Sequence, residues 1–407
     1  MLLTTSSVGG LAAGALTNTS EHGWRNIFWV QAALHLSNSL FFFIAYFPPR
    51  RSDYEKMSWL EYLWCIDPIG SCLFVAGATL ILLALDWAPD TYAYSNPHVA
   101  VSLSIGLLLL VLFGLYEWKG RPDGLLAHAY FKEGPNFALS TFAFAVEGWI
   151  FYSAVNSITP QIALNLGWEN NSWRISIRQL AFQIPAIIAT VPVVWYSTYF
   201  KDLRTPLIVT YALFLIVTCC FSAVRPDWNI VEYVLLVIQG FGQCGPLTLL
   251  VGLIQFTAPH AYLATATGLA FAGRAIGGAF GSAVLDAIIN NYIASHLAKE
   301  VGGAAINAGL PSSSVKALLT AFSAGTGFDT VPGLNSTILA AATFQRQWTY
   351  THAYRLAWSS IIPFVVLAIV AVACTKSVKH MMTEHVQAPV EKVNIPAKDQ
   401  EQEMRTA

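Results

Sequence analysis

Long apolar stretches separated by polar connections run along almost the whole chain. Nine of them are of membrane-crossing length: Ile27–Phe47, Pro68–Leu85, Val99–Tyr116, Pro135–Asn156, Ile175–Tyr199, Pro206–Val224, Tyr233–Ala258, Leu263–Ile293 and Leu356–Thr375. A helix needs about 20 such residues to cross about 30 Å of hydrocarbon. An uncharged segment before Asn18 makes a tenth. None of the runs alternates with a period of two, which excludes a transmembrane β-barrel. The pattern predicts an all-α, polytopic helical bundle in a membrane.

The polar connections predict the orientation. Arg50, Arg51 and Lys56, then Lys119, Arg121 and Lys132, then Lys201 and Arg204 occupy every second connection, and Lys376 and Lys379 follow the last span. Basic loops stay on the cytoplasmic side. The three glycosylation sequons, at Asn18, Asn170 and Asn335, all fall on the opposite side, where glycans are added. The opening run VGGLAAGALTNTSEHGWRNIFWV therefore runs outward, turns at 18–25 and re-enters. It lacks the basic start of a signal peptide. Between the last two spans the sequence predicts a long outer loop, 294–355, with an amphipathic helix over Ser312–Phe322 lying on the membrane. Beyond 377 a polar, disordered cytoplasmic tail is predicted.

Composition narrows the partners. Charged residues make up 11% of the 407 and apolar residues 55%, against roughly 25% charged in soluble domains. The bilayer is the natural solvent, and a net charge of −1 argues against nucleic acid. The six cysteines lie in apolar runs without metal-ligand spacing. No phosphate-binding loop or hydrolase motif is present. The sequence predicts no metal, no cofactor and no enzyme, and any transport must draw on a gradient.

A few polar groups inside apolar runs carry the candidate chemistry. Glu147, in FAFAVEGWIFYSAV, is placed for proton coupling, because desolvation lets a membrane carboxyl exchange a proton near neutral pH. The alternative is a protonated acid bonded to a neighbouring helix. Arg274, about 15 Å into its span, faces a cavity or a structural partner. Gln239 and Gln243 share one helix face among Gly240, Gly242, Gly245 and Pro246, which weaken that helix and let it bend around a substrate. Asn156 extends the polar face of the Glu147 helix, and Asp286 lies nearer the outer end of the Arg274 helix. His35 reads as a neutral histidine bonded to a neighbour. Gly273, Gly277 and Gly281 form a smooth stripe for a packed helix. The short loop with Lys201, Asp202 and Arg204 is either a solvated turn or a gate.

These motifs in this order resemble the major facilitator superfamily, in its fourteen-span fungal branch of trichothecene efflux pumps and siderophore transporters. VGGLAAGALTNTSEHGWRNIFWV resembles the end of the fifth span and the start of the sixth, with Gly10 and Ala13 where that branch's glycine-proline motif has proline and glycine. IDPIGSCLFVAGATLILLALDWA and PHVAVSLSIGLLLLVLFGLYEW resemble the seventh and eighth spans. YFKDLRTP resembles a worn cytoplasmic loop motif, and AGRAIGGAFGSA with AGLPSSS resembles the thirteenth span and the loop after it. The resemblance implies a remnant of the first bundle at 1–47 with four spans missing, two linker spans at 48–134 and a complete second bundle at 135–376. It implies a plasma-membrane monomer that exports a small organic molecule against protons. Siderophore uptake and a truncated product that transports nothing are the rival readings.

Overall fold

The computed structural model describes residues 2–47, 58–88, 91–93, 95–132, 134–259 and 262–382. The basic connection with Arg50, Arg51 and Lys56, and residues 383–407 of the predicted tail, lie outside the described residues. No strand occurs among the described residues. The helices are α1 (Leu2–Thr17), α2 (Trp24–Ala45), α3 (Trp59–Cys65), α4 (Pro68–Trp87), α5 (Pro97–Lys119), α6 (Ala129–Lys132) and α7 (Asn136–Gly148). Then follow α8 (Thr159–Asn165), α9 (Ser172–Phe200), α10 (Arg204–Phe221), α11 (Asn229–Thr257), α12 (Leu263–Asn307), α13 (Val315–Ala324) and α14 (Ser336–Ala373). A π-helical stretch, Trp149–Ile158, joins α7 to α8 as one rod. Among the described residues nine helical rods are long and apolar enough to span a bilayer. Each overlaps one of the nine predicted spans.

Local sequence sets the helix starts. Asp67 and Asn96 cap α4 and α5, each followed by a proline at the first helical position, where a missing N–H costs nothing. Asn171 caps α9 and Asn335 caps α14, their side chains accepting from Arg174 N–H and Ile338 N–H. The main core is built from α7, α10, α11, α12 and α14, with Phe144, Ile150, Tyr211, Phe214, Leu250 and Trp358 wholly buried.

The glycine stripe of α12 docks on α7 as predicted. A Cβ on Gly277 would stand 2.0 Å from the Ala145 carbonyl oxygen, and one on Gly281 2.1 Å from the Trp149 ring. Gly148 answers from the other side, where a Cβ would meet the Arg274 carbonyl oxygen at 2.0 Å. The two backbones touch because neither carries a side chain there. Gly277→Val is expected to force α7 and α12 apart and to destabilise by about 1–3 kcal/mol. A lower midpoint of thermal unfolding in mild detergent is the readout.

Three expectations are corrected. The segment 294–355 is not a long loop: α12 runs on to Asn307 and α14 begins at Ser336. At 1.5 Å per residue, the 45 residues of α12 and the 38 of α14 reach about 67 Å and 57 Å, well beyond about 30 Å of hydrocarbon. Hydropathy falls where a helix leaves lipid, but the helix need not stop there. The amphipathic segment is helical over Val315–Ala324, yet its apolar face is covered by protein. Leu318 and Ala321 pack with Val301, Ala305, Ile338 and Ala342 into a second small core. The glycine-rich α11 passes through Pro246 as one continuous helix. Its glycines admit neighbours: a Cβ on Gly240 would meet the Phe182 carbonyl at 2.3 Å, and one on Gly245 the Thr210 hydroxyl at 2.1 Å. Finally, His35 makes no side-chain hydrogen bond among the described residues. It is exposed on α2, a helix with no buried residue.

Candidate functional site

Glu147 lies eleven residues into α7, Arg274 eleven into α12 and Gln243 fourteen into α11. At 1.5 Å per residue each is about 17–21 Å from its helix start, near the middle of a bilayer. The fold brings all three together. Arg274 Nη2 donates to Glu147 Oε1 at 3.0 Å and Arg274 Nε donates to Oε2, a two-pronged pairing. Gln243 Nε2 also donates to Glu147 Oε1. Glu147 is 0% exposed and Arg274 6%. The ion pair is thus buried, and a buried charge survives only if paired and hydrogen-bonded.

The pair connects to a half-open face. Arg274 Nη1 donates to the Tyr152 hydroxyl at 2.7 Å, and Tyr152 is 42% exposed. The rings of Phe144, Phe151 and Tyr152 lie 4.8–5.4 Å from the guanidinium carbon, within cation–π range. Behind the acid, the buried Tyr211 hydroxyl donates to the Ala143 carbonyl at 2.7 Å and ties α10 to α7.

The π-helical stretch begins two residues after Glu147. Such wide turns in α-helices occur frequently at functional sites. Asn156 Nδ2 donates to the Phe151 carbonyl at 2.7 Å, and the Thr159 hydroxyl to the Ala154 carbonyl at 3.0 Å. Each reaches back five residues, the spacing of a π-turn. Asn156 is therefore engaged with its own helix and is not brought to Glu147.

Gln239, one turn from Gln243, is 0% exposed. Neither its Oε1 nor its Nε2 has a partner among the described residues, and the same holds for Gln243 Oε1. Each orphaned buried group costs about 1–3 kcal/mol, so these amides are poor devices for stability alone.

The other predicted residues lie elsewhere. Asp286 is twelve residues further along α12. With Asp86, Thr79, Ser282 and Asn290 it lines a separate cavity of about 580 Å³ between α4 and α12. Asp202 caps the start of α10, its Oδ1 accepting from Arg204 N–H at 2.9 Å and Thr205 N–H at 3.3 Å. Arg204 is exposed, and Lys201 closes α9 in the left-handed conformation at φ 53°. The loop has the geometry of a capped, solvated turn. Asn18, Asn170 and Asn335 are all exposed, and the element order puts them on connections at one end of the bundle.

Two charged clusters escaped the sequence. Arg178 (2% exposed) donates to Glu169 at 2.9 Å, to Glu232 and to Asn229, with Tyr233 4.3 Å beneath its guanidinium. At the other end, Arg121 reaches Asp67 at 3.4 Å and the Trp64 carbonyl, while Glu117 accepts from Leu126 N–H at 2.8 Å. Burial alone would raise the Asp67 carboxyl. Hydrogen bonds with Glu117, the Gly70 N–H and the Tyr116 hydroxyl outweigh burial and hold it below its ordinary range. Both clusters sit at helix ends, where a lone charge reads as interfacial. Their pairings span about 50 residues of sequence.

A multi-pass helical bundle with an ion pair at mid-depth defines the class, a polytopic membrane protein. The chain belongs to the fungal trichothecene efflux pump (TRI12) family, whose model matches residues 6–402. It is 24% identical over 378 residues to the trichothecene efflux pump TRI12 of Fusarium sporotrichioides, covering 90% of this chain and 62% of that protein. It is also 24% identical over 368 residues to the MFS-type transporter prx5 of Penicillium rubens, covering 88% of this chain and 66% of that one. A vacuolar basic amino acid transporter 2 of Saccharomyces cerevisiae is 24% identical over 341 residues, 81% of this chain and 69% of that one. The chain thus spans 62–66% of the length of the first two relatives. The family is one of membrane efflux transporters, not enzymes.

Proposed function

We propose that the chain acts in proton-coupled efflux of a small organic molecule across the plasma membrane, with Glu147 as the proton-exchanging group. The observation that carries this reading is the fully buried Glu147 carboxylate, held by Arg274 and Gln243 and linked through Arg274 to the half-exposed Tyr152. A proton arriving at Glu147 cancels its charge and weakens the grip of Arg274. The guanidinium, already bonded to Tyr152, is then free to turn toward a bound molecule. Loss of the proton restores the two-pronged pair. Two arrangements of one ion pair, biased by protonation and by substrate, are what an exchanger requires. Gln239 and Gln243, with unpaired amide atoms one turn apart, supply hydrogen-bonding groups for the substrate.

The division into a first-bundle remnant at 1–47, linker spans at 48–134 and a second bundle at 135–376 belongs to the same reading. So do a monomeric state, cytoplasmic basic loops and glycans on Asn18, Asn170 and Asn335. The test is retention of a labelled trichothecene in yeast expressing the chain. Retention should fall relative to empty cells and return to the empty-cell level when a protonophore collapses the gradient. Retention equal to that of empty cells, or better growth on siderophore-bound iron as the sole phenotype, contradicts the reading.

A further inference from the structure

The extensions of α12 and α14 beyond the membrane, closed by α13, enclose a cavity of about 300 Å³, at the small end of the range for ligand pockets. Its walls are mostly apolar, with Leu297 and Val301 from α12 and Leu319 and Phe322 from α13, beside Ser323. One cation lines it. Arg346 of α14 lies 5.6 Å from the Phe322 ring centroid and 5.0 Å from that of Tyr350.

Those rings lend the cation some electrostatic support, but they accept none of its five N–H donors in conventional hydrogen bonds. Among the described residues Arg346 makes no hydrogen bond and no ion pair. Glu300, on the α12 extension, accepts from the Thr349 hydroxyl at 2.6 Å and from Gln345 Nε2 at 3.3 Å. A guanidinium without a carboxylate, at the edge of an apolar chamber, is complementary to a molecule with an anionic head and an apolar body. Its planar fork matches a carboxylate in two parallel hydrogen bonds.

The geometry points to a binding site for a small amphiphilic carboxylate in this cap, with its head on Arg346 and its tail between Leu297, Val301, Leu319 and Phe322. The site stands apart from Glu147 and Arg274. Ile293, the first wall residue on α12, is thirty residues from the helix start, about 45 Å along its axis. Its occupancy therefore does not depend on the transport reading.

The experiment is equilibrium binding of radiolabelled decanoate to the full chain in a non-ionic detergent, with decanol, decyl phosphate and decyltrimethylammonium as competitors. Decanoate is expected to bind saturably, with decanol and the ammonium compound at least tenfold weaker as competitors. Arg346→Gln should weaken binding at least tenfold at an unchanged unfolding temperature. Leu319→Trp, which fills the chamber from another helix, should do the same. Competition by decyl phosphate but not by vesicles of anionic phospholipid marks a free amphiphile as the ligand. Competition by both marks a lipid headgroup as the natural source of the anion. Equal competition by decanol, or undiminished decanoate binding in a folded Arg346→Gln or Leu319→Trp protein, overturns the site.

Discussion

Replacing Arg274 with methionine is expected to destabilise the protein by about 3–5 kcal/mol, the range for removing one partner of a buried ion pair. The loss comes less from the missing attraction than from what remains. Glu147, with no exposed surface, would keep only the Gln243 donor and must take up a proton or draw in water. A second substitution separates this account from a packing defect. Adding Glu147→Gln to Arg274→Met removes the stranded charge, so the double variant should recover much of the lost stability. A coupling of at least about 1 kcal/mol in the double-mutant cycle is expected. It is read from unfolding midpoints in detergent. Strict additivity would mean that the two side chains do not share a charge interaction.

The second large effect is expected at Arg178. This one guanidinium joins the segment after α8 (Glu169), α9 and the start of α11 (Asn229 and Glu232). Arg178→Leu leaves Glu232, 1% exposed, without its cation, and a cost of about 3–5 kcal/mol follows by the same argument. Arg178→Lys should restore little, because an ammonium cannot span three acceptors with the fixed fork of arginine. Because the cluster lies at the end of the bundle, far from Glu147, the variant should lose stability without changing the proton dependence of whatever transport remains. Its unfolding midpoint and the protonophore sensitivity of the residual efflux test the two halves of that statement.

How far the sequence could be read depended on what each residue needed for its placement. The spans were legible because a bilayer imposes one length and one composition on every helix that crosses it. Glu147 and Arg274 stood out because a charge in an apolar run has few explanations. Their pairing was not visible, since 127 residues separate them and no local pattern records which helices become neighbours. Arg178 and Glu232 went unnoticed for a related reason. Near helix ends a charge is inexpensive when alone, and only tertiary contact shows it to be buried. The glycines of α11 were read only through their local effect. Alone they weaken a helix, but against Phe182 and Thr210 the missing Cβ atoms are what permit contact. The same holds at Gly302, where a Cβ would meet Val315 at 2.8 Å. A glycine that reads as loop in sequence is there the seat of α13.

The buried ion pair also gives the family resemblance a physical content. One of these relatives is an efflux pump by name and the other an MFS-type transporter, and at 24% identity few individual side chains need be shared. What this chain has is a carboxylate and a guanidinium fixed at mid-depth by closely packed helices, with a half-exposed tyrosine bonded to the guanidinium. The orphaned amide atoms of Gln239 and Gln243 fit the same picture, since groups held for a ligand are a recurrent place to find stability given up for function.

The most direct test is the dependence of efflux on the pH gradient in Glu147→Gln, compared with the unaltered chain and with Glu147→Asp. The account predicts that the unaltered chain exports faster as the outside is made more acidic, that Glu147→Asp keeps a weakened response, and that Glu147→Gln shows none. A Glu147→Gln protein whose export follows the gradient as steeply as the unaltered chain would contradict it.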